Sequence, residues 1–186
     1  MSTLSGRVLA TFPAAVVVLI INEQEELLLL NHPTRPGLWE PVNGAMDAHE
    51  TVLEAALREV QEEAGREIRV RPLGVAHVST FTYDANVTHF IGITYLMAYE
   101  GGEVIPGDDM QGSQILWWPL ANWENNPRQL IPPLDQPWLL ERVKELYRLW
   151  YNRPPVPLQR PLGQTRNKYE MPEARENVSA GEKLGE

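Results

Sequence analysis

A mixed β-sheet packed between helices, an α/β (α+β) architecture, is what this sequence predicts, and three observations carry the prediction. Residues 14–21 are an unbroken apolar run rich in β-branched side chains, the signature of a strand buried on both faces. Helical periodicity appears twice, over about residues 48–64 and 138–150. Strand-like runs fill the interval between the two helices, so neither class of element is segregated to one half of the chain.

In chain order, Ala14 to Ile21 and Glu26 to Leu30 read as partnered strands, joined by the polar turn Asn22-Glu23-Gln24-Glu25. Residues 31–43 read as a loop, punctuated by Pro33, Pro36, Gly37 and Pro41. A helix over about 48–64 follows, with Asp47 as N-cap, Glu50 three residues on, and Gly65 as its stop. Leu53, Ala56, Leu57, Val60 and Ala64 recur on one face and form its buried stripe. Residues 68–73, 74–83 and 88–99 are strand candidates, the last ended by Gly101-Gly102, and 114–119 is a shorter one. The second helix packs through Leu139, Val143, Leu146 and Tyr147, with Glu141, Lys144, Glu145 and Arg148 toward water. Beyond Asn152 the chain turns proline-rich and aperiodic, so residues 1–152 read as one domain and 153–186 as a flexible tail.

The chemistry concentrates on the first helix. Arg58, Glu59, Glu62 and Glu63 lie within two turns, and the three glutamates project away from the apolar stripe. Carboxylates at i, i+3 and i+4 repel one another on a bare helix, and near a helix C-terminus the macrodipole opposes them further. A bound divalent cation removes that conflict. Oxygen donors without sulfur or clustered imidazole suit a hard ion, Mg²⁺ or Mn²⁺. The alternative is an ordinary solvated acidic face.

The segment from Gly44 to Arg66, GAMDAHETVLEAALREVQEEAGR, resembles the Nudix box, GX5EX7REUXEEXGU with U aliphatic. Gly44, Glu50, Arg58, Glu59, Val60, Glu62, Glu63 and Gly65 fall at its spacing; Arg66 replaces the final aliphatic residue, with Ile68 available for that packing role. The order of elements over roughly residues 7–150 fits the same family, which implies a Nudix-type α/β/α sandwich with a mixed central β-sheet. The resemblance further implies that Glu59, Glu62 and Glu63 bind the catalytic divalent ions, joined by a loop carbonyl at Gly44. It also implies that Arg58 orients a glutamate and that Glu50 supports the loop or the outer metal shell. Family members commonly carry Trp and then Pro-Gly-Gly before the box; here the stretch is Trp39-Glu40-Pro41-Val42-Asn43-Gly44, with Asn43 in place of a glycine and the proline displaced by one position.

The activity so implied is Mg²⁺- or Mn²⁺-dependent hydrolysis of a diphosphate linkage in a nucleoside diphosphate derivative, by water attack at phosphorus. Nucleoside triphosphates, dinucleoside polyphosphates and nucleotide sugars all qualify. The proton acceptor is one of the box glutamates or an acid on a later loop, Asp108 or Asp109. Arg35 is a candidate for phosphate capture, against an ordinary exposed arginine, and Trp39, Phe81, Tyr83 and Tyr95 are candidates for stacking a base, against core roles. Tyr83 resembles a tyrosine of diadenosine polyphosphate hydrolases, whereas the proline of ADP-ribose hydrolases is absent, Phe81 and Thr82 standing at its place. The other function class is a Nudix-fold nucleotide-binding or sensing module without turnover; an intact REXXEE segment favours the enzyme.

Composition narrows the partners. A net charge of −9 argues against general nucleic-acid binding, which needs a basic surface, but leaves a small nucleotide-type substrate open because a bound metal supplies positive charge. There is no cysteine, which excludes disulfides and thiolate metal sites and fits a cytoplasmic protein. No apolar run approaches the length of a membrane span. The four histidines, His32, His49, His77 and His89, are scattered and read as structural. A homodimer is compatible with the chain, with the tail as one route to a partner subunit.

Overall fold

A computed structural model describes residues 2–4, 7–9, 11–82, 86, 89–125, 129–130, 134 and 136–155. The tail expected over 153–186 lies outside these from residue 156 onward, as does Tyr83. Ten strands, numbered in chain order, and two α-helices make up the described fold: β1 Ser2–Leu4, β2 Arg7–Leu9, β3 Ala14–Ile21, β4 Glu26–Asn31, β5 Leu38–Glu40, β6 Val42–Ala45, α1 Val52–Glu59, β7 Arg69–Phe81, β8 Phe90–Gly101, β9 Gln114–Pro119, β10 Gln129–Leu130 and α2 Pro137–Asn152. The first two strands pair only with each other; the other eight form one mixed sheet, ordered β10-β5-β4-β3-β8-β7, with β6 on β3 and β9 on β4.

The apolar run 14–21 becomes the central strand, parallel to β8 along its whole length and buried at Val16, Val18, Leu19, Ile20 and Ile21. Its alternating residues feed two cores. Val16, Val18 and Ile20 pack with Ala55, Ala56, Val60 and Ala64 on the α1 side. Leu19 and Ile21 pack with Leu139, Leu140, Val143 and Tyr147 on the α2 side. The predicted α/β/α sandwich is the one observed.

The sheet contains a fork. Strand β8 occupies one edge of β3, and β9 occupies one edge of β4 over Glu26 to Asn31. Strands β3 and β4 therefore face each other across their remaining edges, yet they pair only at Ile21 and Leu27, beside their turn. Beyond that point they diverge, and the gap is filled by β5 against Leu30 and Asn31 and by β6 against Ala15 to Val18. The stretch 31–43 is thus not wholly loop: its prolines and glycine punctuate it, but Pro41 falls between two short strands, where no ladder donor is lost. The fork holds Glu40, Asn43 and Gly44 beneath α1.

Two further boundaries differ from the sequence reading. The expected strands 68–73 and 74–83 are one strand, β7, carried through irregularities of register around Pro72 and Gly74. The first helix starts at Thr51, not Asp47: the Thr51 hydroxyl accepts from the Glu54 N–H at 3.2 Å and the Glu54 carboxylate accepts from the Thr51 N–H at 2.8 Å. Glu50 makes a similar bond to the Asp47 N–H at 2.9 Å, closing a separate turn ahead of the helix.

Across the molecule, the Tyr147 hydroxyl on α2 donates to the Asn22 carbonyl at 2.9 Å in a buried setting, tying α2 to the β3–β4 turn. Tyr147→Phe should lower the unfolding free energy by about 1 kcal/mol, read by urea denaturation at neutral pH. Burial raises the Tyr147 phenol above its ordinary pKa. A raised folded value means that this group's stabilisation is complete below pH about 10 and is lost as pH climbs toward the folded value. The difference between parent and variant should therefore narrow in alkali; a difference constant to pH 11 contradicts the assignment.

Candidate active site

The acidic segment is built on a change of helical pitch. Residues 52–59 are α-helical, and Val60–Ala64 continue as a π-helical turn, a widening found often at functional sites. Glu59 closes the α-helical part, while Glu62 and Glu63 lie on the wide turn. Gly65, at φ +100°, ends it, and a Cβ there would meet the Ile105 carbonyl oxygen at 2.5 Å. Backbone bonds from Ile105 N–H to the Ala64 carbonyl (2.9 Å) and from Gly107 N–H to the Glu63 carbonyl (3.3 Å) fasten the loop after β8 to the same turn.

The glutamates do not share one outward face, contrary to the periodicity reading. Glu59 and Glu63 are buried, each 6% exposed, and only Glu62 is open to solvent. The close approach of β6 buries Glu59, and Glu63, on the wide turn, is held by the Asn43 N–H of the same strand. Gly44 pairs with Val16 in β6, and a side-chain carbon on Gly44 would collide with the Glu59 carboxylate. Only glycine lets that carboxylate sit against the strand. Gly44→Ala should destabilise the fold by about 1–3 kcal/mol, measured by chemical denaturation; an unchanged midpoint would show that Glu59 swings away freely.

Arg58 occupies the point where the carboxylates converge. Its Nε and Nη2 donate to the two Glu50 oxygens at 2.7 and 3.1 Å. Its Nη1 donates to Glu59 at 2.7 Å and to Glu62 at 3.0 Å, and Nη2 also reaches the Ala45 carbonyl at 2.8 Å. This network holds Arg58 in its charged form, the Glu50 bond being the strongest cause, and keeps Glu50 below the usual carboxylate range. Glu59 goes the other way. Burial pushes its pKa up, the Arg58 bond opposes this, and the charges of Glu62 and Glu50 add to the rise. Glu63 Oε2 accepts the Asn43 backbone N–H at 3.0 Å from across the fork.

Three carboxylates, Glu50, Glu59 and Glu62, thus share a single guanidinium, while the buried Glu63 is held by the Asn43 N–H. The excess negative charge and the all-oxygen donor set fit a hard divalent cation. Among the described residues no three acidic or imidazole side chains already stand in a ligating array. Arg58 is the reason: it draws Glu50, Glu59 and Glu62 onto its own nitrogens.

The other candidates divide. Arg35, half exposed, donates to Glu40 at 3.1 Å. Trp39 is not a free stacking surface; at 9% exposure it belongs to the α2-side core, because β5 buries it beside Leu29 and Leu134. Phe81 is exposed and stacks on Phe90, with ring centroids 5.3 Å apart. Tyr95 packs against the α1-side core, and burial raises its phenol pKa. Asp108 (φ +46°) lines a cleft of about 290 Å³ with Arg58, Glu62 and Arg66, and Asp109 follows it in a short 3₁₀ turn, its side chain outside the described residues. Sequence reading missed Glu40, which is 3% exposed and joins Arg35 to Asn43.

Comparisons with known proteins agree with this arrangement. Over 102 residues the chain is 26% identical to the NAD-capped RNA hydrolase NudC of Photobacterium profundum, covering 54% of this chain and 36% of that protein. Over 105 residues it is 31% identical to the ADP-ribose pyrophosphatase of Methanocaldococcus jannaschii, covering 55% and 61%. The match therefore spans less than two thirds of either relative. In structure, a NUDIX-family hydrolase from Clostridium perfringens superposes with a TM-score of 0.57 at 19% identity, covering 73% of this chain and 96% of that one. An ADP-ribose pyrophosphatase from Streptococcus suis gives 0.57 at 21%, covering 74% and 93%. These likenesses establish the fold. The NUDIX domain model itself matches residues 11–137, a stretch that holds the fork, the box helix and the loops around it, and the chain belongs to the NUDIX domain family.

Proposed function

We propose that this chain hydrolyses a diphosphate linkage in a nucleoside diphosphate derivative, with Mg²⁺ or Mn²⁺ as cofactor. One observation carries the reading. The buried charged residues among those described are Glu40, Glu59 and Glu63; all three are acids, and all three lie where β5 and β6 meet the end of the box helix. Burying carboxylates is costly unless their charge is answered; Arg35 pairs with Glu40, but Arg58 is shared among Glu50, Glu59 and Glu62, so negative charge remains in excess at the end of the helix.

Glu59, Glu62 and Glu63, with the carbonyl at Gly44, would hold the cation. When bound, it neutralises phosphate oxygens and makes water a better nucleophile. The chain's own residues do the rest. A carboxylate, either a box glutamate or Asp108 or Asp109 on the loop facing the cleft, takes the proton from the attacking water; the bond from phosphorus to the bridging oxygen breaks, and the leaving phosphate departs as an anion. Arg35 is assigned to a substrate phosphate, its guanidinium suited to a two-point grip. The substrates named for the two relatives, NAD-capped RNA and ADP-ribose, both contain a nucleoside diphosphate, which supports the class and leaves the leaving group to experiment.

The test is release of phosphate or of a nucleoside monophosphate from a panel of nucleoside triphosphates, dinucleoside polyphosphates, nucleotide sugars and capped RNA. Reactions with Mg²⁺ or Mn²⁺ should turn over and EDTA blanks should not. Nucleotide binding without turnover across the panel would replace the enzyme by a sensing module. The catalytic unit is assigned to residues 1–152, and removal of 160–186 should leave the melting temperature nearly unchanged. A large drop would place that segment against the core or a second subunit.

A further inference from the structure

Glu40 has no place in the box, yet it is among the most deeply buried charged groups described. Its two oxygens are both engaged: Oε1 accepts from Arg35 Nη2 at 3.1 Å and Oε2 from Asn43 Nδ2 at 3.2 Å. Asn43 Nδ2 spends its other hydrogen on the Pro41 carbonyl at 2.9 Å, so the amide orientation is fixed by two acceptors. The backbone N–H of the same residue holds Glu63 Oε2 at 3.0 Å. An unbroken run of bonds therefore joins Arg35, Glu40, Asn43 and Glu63.

We propose that Glu40 is a positioning residue that locks the Arg35 arm in register with the Glu63 carboxylate, so that a pyrophosphate end gripped by Arg35 is delivered to the acidic cluster. The proposal rests on the hydrolase reading above. The arm is suited to this. Its base is set in consecutive turns, with Arg35 N–H bonded to the His32 carbonyl at 3.0 Å and Leu38 N–H to the Arg35 carbonyl at 3.1 Å. Among the described residues only its Nη2 is engaged by a side chain and the side chain is half exposed, which leaves guanidinium donors available for a phosphate. Asn43, standing where the family carries glycine, supplies the amide that makes the link.

Glu40→Gln is the informative variant. Glutamine keeps the shape but offers one acceptor and one donor, while Glu40 is approached by donors on both sides, so one link must break. Titration calorimetry on the full chain, with Mn²⁺ alone and then imidodiphosphate in the presence of Mn²⁺, reads the effect without turnover. Arg35→Ala and Glu40→Gln should each weaken imidodiphosphate about tenfold. The double variant should be no weaker than the worse single, because both remove one arm. Asn43→Ala, which introduces no buried polar group, should also weaken imidodiphosphate. A merely structural role lowers melting temperature without this non-additivity.

Loss in the double variant equal to the product of the two single losses overturns the proposal, as does parental binding by Glu40→Gln. A parent that hydrolyses its substrate while the variants behave additively overturns the coupling alone. A parent that binds imidodiphosphate with the expected non-additivity but turns over no nucleotide sinks the hydrolase reading and keeps the coupling. A parent that binds neither Mn²⁺ nor imidodiphosphate removes both.

Discussion

Glu63→Gln and Glu62→Gln are each expected to cut turnover by about 100-fold or more while the fold survives. The exchange keeps side-chain volume and leaves an oxygen to accept the Asn43 N–H at residue 63 or the Arg58 Nη1 at residue 62. What disappears is one negative charge. If the cluster holds a divalent cation against a diphosphate, that charge contributes several kcal/mol to the transition state, and each 1.4 kcal/mol is about tenfold in rate. The two positions separate binding from packing. Glu62 is partly exposed and keeps an acceptor for Arg58 as glutamine, so its replacement should leave the melting temperature near the parent's; Glu63 is buried and tied to β6, and a shift of a few degrees is tolerable there. Steady-state kinetics with saturating Mn²⁺, beside thermal melts, make the comparison. Near-parental turnover in either variant removes that residue from the metal site.

Burial of the acids is also where sequence and structure part. The apolar run 14–21 was legible as a strand buried on both faces, and the two helices through the periodicity that one core face enforces. The box was legible because its residue types recur at fixed intervals. What periodicity could not reveal was the π-helical turn at Val60–Ala64, since a change of pitch inside a helix leaves no apolar pattern of its own. Glu63 lies on that turn, whereas Glu59 is still on the regular helix and is buried because Gly44 lets β6 close on its carboxylate. Glu40 was missed, and Trp39 was left open between stacking and core, for a related reason. They sit in a stretch rich in proline that reads as loop, and only the divergence of β3 from β4 makes room there for two short strands, of which β5 buries Trp39 and Glu40. A fork of this kind is a long-range property, set by pairings between residues far apart in the chain.

Arg58→Ala should damage stability and activity together, and the two losses have one origin. The guanidinium satisfies Glu50, Glu59, Glu62 and the Ala45 carbonyl at once. Its removal leaves the buried Glu59 carboxylate without its donor, in a place where burial already disfavours the charged form. An unfolding free energy lower by about 2 kcal/mol or more follows from stranding a buried acceptor of this kind. Turnover falls as well, because the carboxylates lose the bond network that orients them. The distinguishing measurement is the response to metal. Without Arg58 the acidic residues repel one another unopposed, so a divalent cation that binds among them stabilises the folded state by mass action. Millimolar Mg²⁺ or Mn²⁺ should therefore raise the melting temperature of Arg58→Ala more than that of the parent, and Ca²⁺-free EDTA buffer should give the lowest value of all. If the variant melts and turns over like the parent, Arg58 is an ordinary exposed arginine. If it is destabilised but indifferent to divalent ions, the guanidinium holds the helix to β6 and the carboxylates around it have no affinity for a cation.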